Sequence, residues 1–268
     1  MWIGYVGQGV KIMATVISSG PQFISDDEWQ VRCDLAACYR LFVKYGWTDL
    51  IFTHLTVRVP GHPDQYLINP YGLLFHEITA SSLIKVDFDG NVVSGDYPYN
   101  NAGHSIHTAV LKVRPEVNSV LHSHTRAGTA VSCMECGLLP LSQQGNEILP
   151  LVCYHEYDVA TSNKEECERL GNDIGINKWA MLMQNHGALT VGRTVAEAFY
   201  FMYYLESACK IQVDVLSSGQ KYVVPNDSAL KKLADYGRIR PEGVNPAAVR
   251  SWEALIRDLD NSQPDYKK

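Results

Sequence analysis

Apolar positions along this chain alternate between two periods, and each period predicts an element. Val31, Leu35, Tyr39 and Phe42 recur every three or four residues. They follow the capping box Ser25-Asp26-Asp27-Glu28 and precede Gly46, so a helix is expected between them. Residues 52–59 read as a strand stopped by Pro60-Gly61. Residues 66–68 read as another, ending at the turn Asn69-Pro70-Tyr71-Gly72. A hairpin is expected over 84–93 around Asp89-Gly90. A helix over 103–113, a strand from Ser119 to His124 and a helix over 125–136 come next. Then follow a strand over 148–154, a polar-faced helix over 163–174 and strands over 180–183 and 188–191. Thr194-Val195-Ala196-Glu197 is a second capping box and opens the longest helix, to about 215. Terminal helices are expected over 229–236 and 247–259. The pattern is a mixed sheet with helices on its faces.

At 268 residues and 46% apolar, the chain can bury a substantial core. A net charge of −6 leaves no footprint for nucleic acid or an anionic membrane surface. No apolar run approaches the roughly 18 residues a bilayer span needs. Gly4, Gly7, Gln8, Gly9 and Lys11 interrupt the first twenty residues. They read as an arm that is loose or packed on a neighbouring subunit, not as a signal peptide. The seven cysteines are odd in number, which points to reduced thiols and a cytoplasmic protein. Cys133 and Cys136 form a single CxxC without a second pair. Their place late in a predicted helix makes them small core thiols.

The chemistry concentrates in three histidines. His122 and His124 flank Ser123 at the end of a predicted strand, so their side chains point the same way. His186 follows another apolar run, in Gln184-Asn185-His186-Gly187. Three neutral imidazoles with no thiolate suit a catalytic divalent metal that keeps an open position, zinc ahead of manganese or iron. The alternative is three ordinary polar histidines.

The motifs together resemble the class II aldolase/adducin family. The run from Arg114-Pro115-Glu116 to His122-Ser123-His124 is similar to that family's strand bearing two metal histidines. Asn185-His186-Gly187, Gly192-Arg193-Thr194 and Glu197-Ala198 are similar to its third metal histidine and the helix that follows. The resemblance implies an α/β fold, three-layer α/β/α with a central, largely antiparallel sheet. It divides the chain into an arm (1–24), an aldolase/adducin-like domain (25–217) and a C-terminal helical extension packed on it (218–268). It also implies a homotetramer with sites near subunit interfaces. The family's aldolases use a glutamate base, and that position corresponds here to Gly103. Asn101-Ala102 stands where they grip phosphate with serines. His54 and Tyr71 stand where they place an asparagine and a threonine. Asn100-Asn101-Ala102-Gly103 resembles instead an adducin-like bacterial branch that lacks the glutamate.

The metal set is thus intact while the base and phosphate grip are changed. Decarboxylation needs no initial base, whereas aldol cleavage does. The expected activity is a metal-dependent carbon–carbon lyase acting on a small hydroxy or oxo acid through a metal-stabilised enolate, by decarboxylation or aldol cleavage. A non-haem iron oxygenase using the same histidines and a non-catalytic adducin-like module are the alternatives. Candidate catalytic residues are His104, His155, Glu156 and Tyr154. His104 is offset by one residue from Gly103, which rotates its side chain by roughly 100° on a helix. Candidate substrate contacts are His54, Tyr71, Asn101 and Arg126. Arg126 follows the metal strand and is placed to meet a carboxylate.

Overall fold

The structure is a computed structural model that describes residues 24–158, 164–238 and 243–268. All but the last residue of the predicted N-terminal arm lies outside them. Helix α1 (Asp26–Tyr45) starts where the Ser25 side chain accepts the Glu28 N–H and ends at Gly46, whose φ of 71° is the left-handed turn glycine favours. Strands β1 (His54–Val59) and β2 (His62–Ile68) form the hairpin around Gly61, and β3 (Ile84–Asp87) pairs with β4 (Val92–Ser94). Helix α2 (Asn101–Val113), capped by Asn100, leads to β5 (Ser119–Ser123). Then come α3 (Arg126–Ser132), α4 (Gln143–Ile148), β6 (Val152–His155), α5 (Lys164–Ile174), β7 (Ala180–Met183) and β8 (Gly187–Gly192). The long helix α6 (Val195–Ser217) is capped by Thr194, and α7 (Asp227–Arg238) and α8 (Pro246–Ser262) follow. The short helix α4 has no apolar period and went unforeseen in the pattern.

The strands form one eight-stranded sheet in the order β4-β3-β2-β1-β5-β8-β7-β6. Every pairing is antiparallel except β6 with β7. Helices α2 and α5 pack together over one face of the sheet, and α1, α3 and α6 cover the other. Both faces are therefore buried. This is why Leu55, Val57, Val120, Leu121, Leu189 and Val191 carry no clean in–out alternation of polarity. Helix α8 returns the chain to the core, where Trp252 lies 5.7 Å from Phe199 and donates its indole N–H to Asp34.

Two polar features brace the α1 side. Glu28 is buried and accepts from Arg32 at 3.0 Å and from Lys85 at 2.7 Å, tying α1 to β3. Arg32 also donates to the carbonyls of Ala80 and Leu83. On the same face of the sheet α3 is shorter than its sequence suggests. The Ser132 carbonyl accepts from Asn185 N–H instead of continuing the helix, and Gly137 turns the chain at φ 60°. Cys133 and Cys136 are consequently exposed, not the core thiols expected from a longer helix.

Candidate metal site

The site lies at one end of the central strands, where β5 finishes and β1 and β8 begin. His122 and His54 are register partners across β5 and β1, so their rings stand side by side on the α2 face. His124 continues just past β5, and His186 sits in the turn between β7 and β8. That turn explains the residues around His186. Asn185 takes φ 55°, a left-handed conformation that asparagine tolerates better than most residues. At Gly187 a Cβ would collide with the Ser123 carbonyl, so glycine lets β8 close against β5 beside His124. Thr129 on α3 donates to the His186 carbonyl at 3.2 Å. Beneath the strand end, Glu206 of α6 is buried and accepts from Thr125 at 2.6 Å and Ser123 at 3.3 Å. Burial pushes its carboxyl up, and these two hydroxyls only partly offset that.

The three imidazoles converge through their Nε2 atoms. His122 and His124 approach to 2.8 Å, and His186 and His124 to 3.0 Å. His122 Nδ1 lies 3.0 Å from the Ala188 carbonyl, which can only accept, so the ring proton is on Nδ1 and Nε2 carries a lone pair. His124 Nδ1 faces the Asp49 carboxylate at 2.9 Å, which fixes the same tautomer. With both rings in these neutral tautomers the two Nε2 lone pairs face each other. Burial, reinforced by the neighbouring imidazoles, holds His122 well below its ordinary value, and His186 falls to about 4 for the same reasons. At neutral pH both rings are uncharged, which is the ligating form.

A divalent cation fits this donor set. Two nitrogens on a tetrahedral zinc are about 3.3 Å apart for bonds of roughly 2.0–2.1 Å, close to the observed separations. Each tether on the far nitrogen, a carbonyl for His122 and a carboxylate for His124, is the outer support that metal-bound histidines generally have. Among the described residues these three are the one group of His, Cys, Asp or Glu side chains whose donor atoms all lie within 4.8 Å of one another. Asp49 had no signal in the sequence. It sits in an irregular turn with Leu50 at φ 49° and Thr53 at φ 65°, and no spacing rule links it to His124.

The other candidates scatter. His54 stacks on His122 with ring centroids 5.1 Å apart. His104 points elsewhere, its Nδ1 2.7 Å from the Tyr66 hydroxyl and its ring beside Tyr99, as the one-residue offset on α2 requires. His155 is buried between Glu166 at 2.6 Å and Asp173 at 2.7 Å, so both its nitrogens are engaged. Glu156 is exposed, 3.9 Å from Arg169. The Tyr154 hydroxyl accepts the Leu138 N–H, just past the Gly137 turn that follows α3. Tyr71 is partly exposed, 6.5 Å from the Phe52 ring, while Asn101 and Arg126 are exposed at the starts of α2 and α3. Tyr157, not anticipated, lies 6.5 Å from His186. No carboxylate other than Asp49 bonds to the trio among the described residues.

Residues 33–213 match the model of the class II aldolase and adducin N-terminal domain. A Pseudomonas aeruginosa protein, named only provisionally as an aldolase class 2 protein, is 44% identical over 91% of this chain and 95% of its own. Rat alpha-adducin is 39% identical over 86% of this chain, which spans a third of the adducin. An L-fuculose 1-phosphate aldolase from Glaciozyma antarctica superposes with a TM-score of 0.78 at 26% identity, covering 93% of this chain and 97% of the aldolase.

Proposed function

The chain belongs to the class II aldolase and adducin N-terminal domain family, and we propose that it is a metal-dependent carbon–carbon lyase. Its substrate is a small hydroxy or oxo acid, and decarboxylation is favoured over aldol cleavage. His122, His124 and His186 would hold the ion, zinc ahead of manganese or iron. The observation that carries this reading is the convergence of three imidazoles, with Nε2 of His124 2.8 Å from Nε2 of His122 and 3.0 Å from Nε2 of His186. When bound, the ion supplies a Lewis acid for the substrate's carbonyl or carboxylate oxygen.

The chain's own residues set the rest. Asp49 keeps His124 in the tautomer that leaves Nε2 free, and the Ala188 carbonyl does the same for His122. Helix α6, through Glu206, holds Ser123 and Thr125 on either side of His124. At Gly103 the place of a side chain is filled by the His54 ring, so no base can be offered from that position. With His104 and His155 engaged elsewhere and Asp49 bonded to the far nitrogen of His124, no second carboxylate bonds to the trio among the described residues to begin an aldol cleavage. Loss of carbon dioxide needs no such group at its start. Tyr71, Asn101 and Arg126 are the candidate contacts for the acid, and Tyr157, 6.5 Å from His186, adds aromatic surface.

The protein is assigned to the cytoplasm, where its cysteines would stay reduced. It is assigned a homotetrameric assembly with sites near subunit contacts, a reading favoured by the exposed Leu50 and Phe52 beside Asp49. A second reading, a non-catalytic module, is favoured by the alpha-adducin similarity. Elemental analysis of protein purified without added metal tests both. It is followed by a screen of oxo and hydroxy acids, with and without phosphate, for released carbon dioxide or aldehyde. The lyase predicts bound metal and turnover, equal in air and under anaerobic conditions. Turnover of phosphorylated sugars alone, or no metal and no turnover, overturns it.

A further inference from the structure

Helix α2 packs its backbone directly onto an imidazole. A Cβ at Gly103 would lie 2.7 Å from two ring carbons of His54 and 3.1 Å from its Nδ1. The same Nδ1 lies 2.9 Å from Nε2 of His107, one turn further along α2. His107 is fully buried, and its Nδ1 is 2.7 Å from the Thr56 hydroxyl. Thr56 and His54 are two apart on β1 and share a face, so strand and helix grip one ring between them. The remaining side of that ring lies against His122, with centroids 5.1 Å apart and planes 28° apart. His122 is held at Nδ1 by the Ala188 carbonyl, a single hydrogen bond about which a ring can still tilt. The His54 ring removes that freedom.

We propose that His54 is a positioning residue for His122, and that Gly103, His107 and Thr56 are there to hold it. Gly103 is then a size requirement of the site, not a helix-propensity accident, since glycine inside a helix costs stability. Positions 54 and 103 act as one specificity-determining unit: while the ring is present no side chain at 103 can reach the substrate. This rests on the trio binding a metal.

The test is cobalt(II) titration of the full chain, followed by visible absorption, with thermal denaturation of each variant. His54→Ala is expected to weaken cobalt binding about 10- to 100-fold and to alter the ligand-field bands. Gly103→Ala, which pushes the ring aside, is expected to do the same. The double variant is expected to be no weaker than His54→Ala, because there is no ring left to displace. Thr56→Val keeps its shape and removes the hydroxyl's bond to His107 and its longer one, 3.5 Å, to the Val120 carbonyl, and is expected to give a smaller loss in the same direction. It keeps the test open if His54→Ala does not fold. Losses that simply add, or unchanged cobalt affinity and spectrum beside a lower melting temperature, overturn the proposal and leave the metal reading standing. A wild-type chain that binds no cobalt overturns both.

Discussion

His155 and the trio of His122, His124 and His186 lie in the same half of the sheet, yet they are set into the fold in opposite ways. His155 is gripped at both nitrogens by carboxylates, Glu166 and Asp173. Arg169 then meets Glu166, so the group is satisfied within the fold. Each of His122 and His124 is tethered at one nitrogen and aims the other at a neighbouring lone pair. Both arrangements bury imidazole. The first is a fastener between β6 and α5, and the second is a donor set that a divalent cation fits. The difference teaches that a buried histidine is read by what remains unmet around it, not by its burial or its presence in a polar segment.

The strongest way to break this comparison is His122→Ala. Removing a ligand is expected to cost more than the ~10- to 100-fold in affinity that loss of an outer support costs, and to abolish turnover. The metal-to-protein ratio after dialysis measures it. A full metal complement in that variant would end the distinction between the two groups. His155→Ala is the reciprocal experiment. It leaves two carboxylates without their shared donor, and a loss of about 1–3 kcal/mol in urea denaturation is expected with metal content unchanged. A smaller effect is expected for Asp49→Asn, which keeps an acceptor for His124 but removes the charge. Asp49 is half-exposed, so about a 10-fold loss of metal affinity is expected, the low end for such partners. The same substitution at Asp173 should leave the metal untouched, and isothermal titration with zinc compares the two.

The two groups were not equally legible in the sequence. The HxH spacing on a strand and the Asn-His-Gly turn are local, so they named the trio and its geometry without long-range knowledge. His155 looked like a rim residue because its partners lie 11 and 18 positions on, in α5, and no pattern links a strand end to the carboxylates of the next helix. His54 beside Gly103 was hidden for the same reason, since an absent side chain carries no periodicity and its meaning appears only when β1 and α2 meet. Layer order and strand placement were readable from capping boxes, turns and the family resemblance. The ends of α3 were not, because a bond from Asn185, more than fifty residues away, decides where that helix stops.

A third buried group, one that is charged and fully paired, extends the comparison to pH, where the effect read is a change in a stability difference and not its full size. Burial alone would raise the Glu28 carboxyl, but hydrogen bonds from Lys85 and Arg32 outweigh it and hold the group below its ordinary value of 4.5. An unfolded chain therefore takes up this proton first as pH falls. The stabilisation from Glu28 is complete above that ordinary value and is lost as pH drops through the lowered, folded one. Glu28→Gln removes the titration and also leaves Lys85 buried without its counter-charge, so the variant is less stable throughout. The gap between wild type and variant, read as urea midpoints at several pH values, is expected to be constant from pH 7 to about 5 and to narrow below 4.5. If it stayed constant into that range, the ion cluster would not be setting the carboxyl's affinity for its proton. Pairing inside the fold would then fail as the mark that separates a fastener from a binding site.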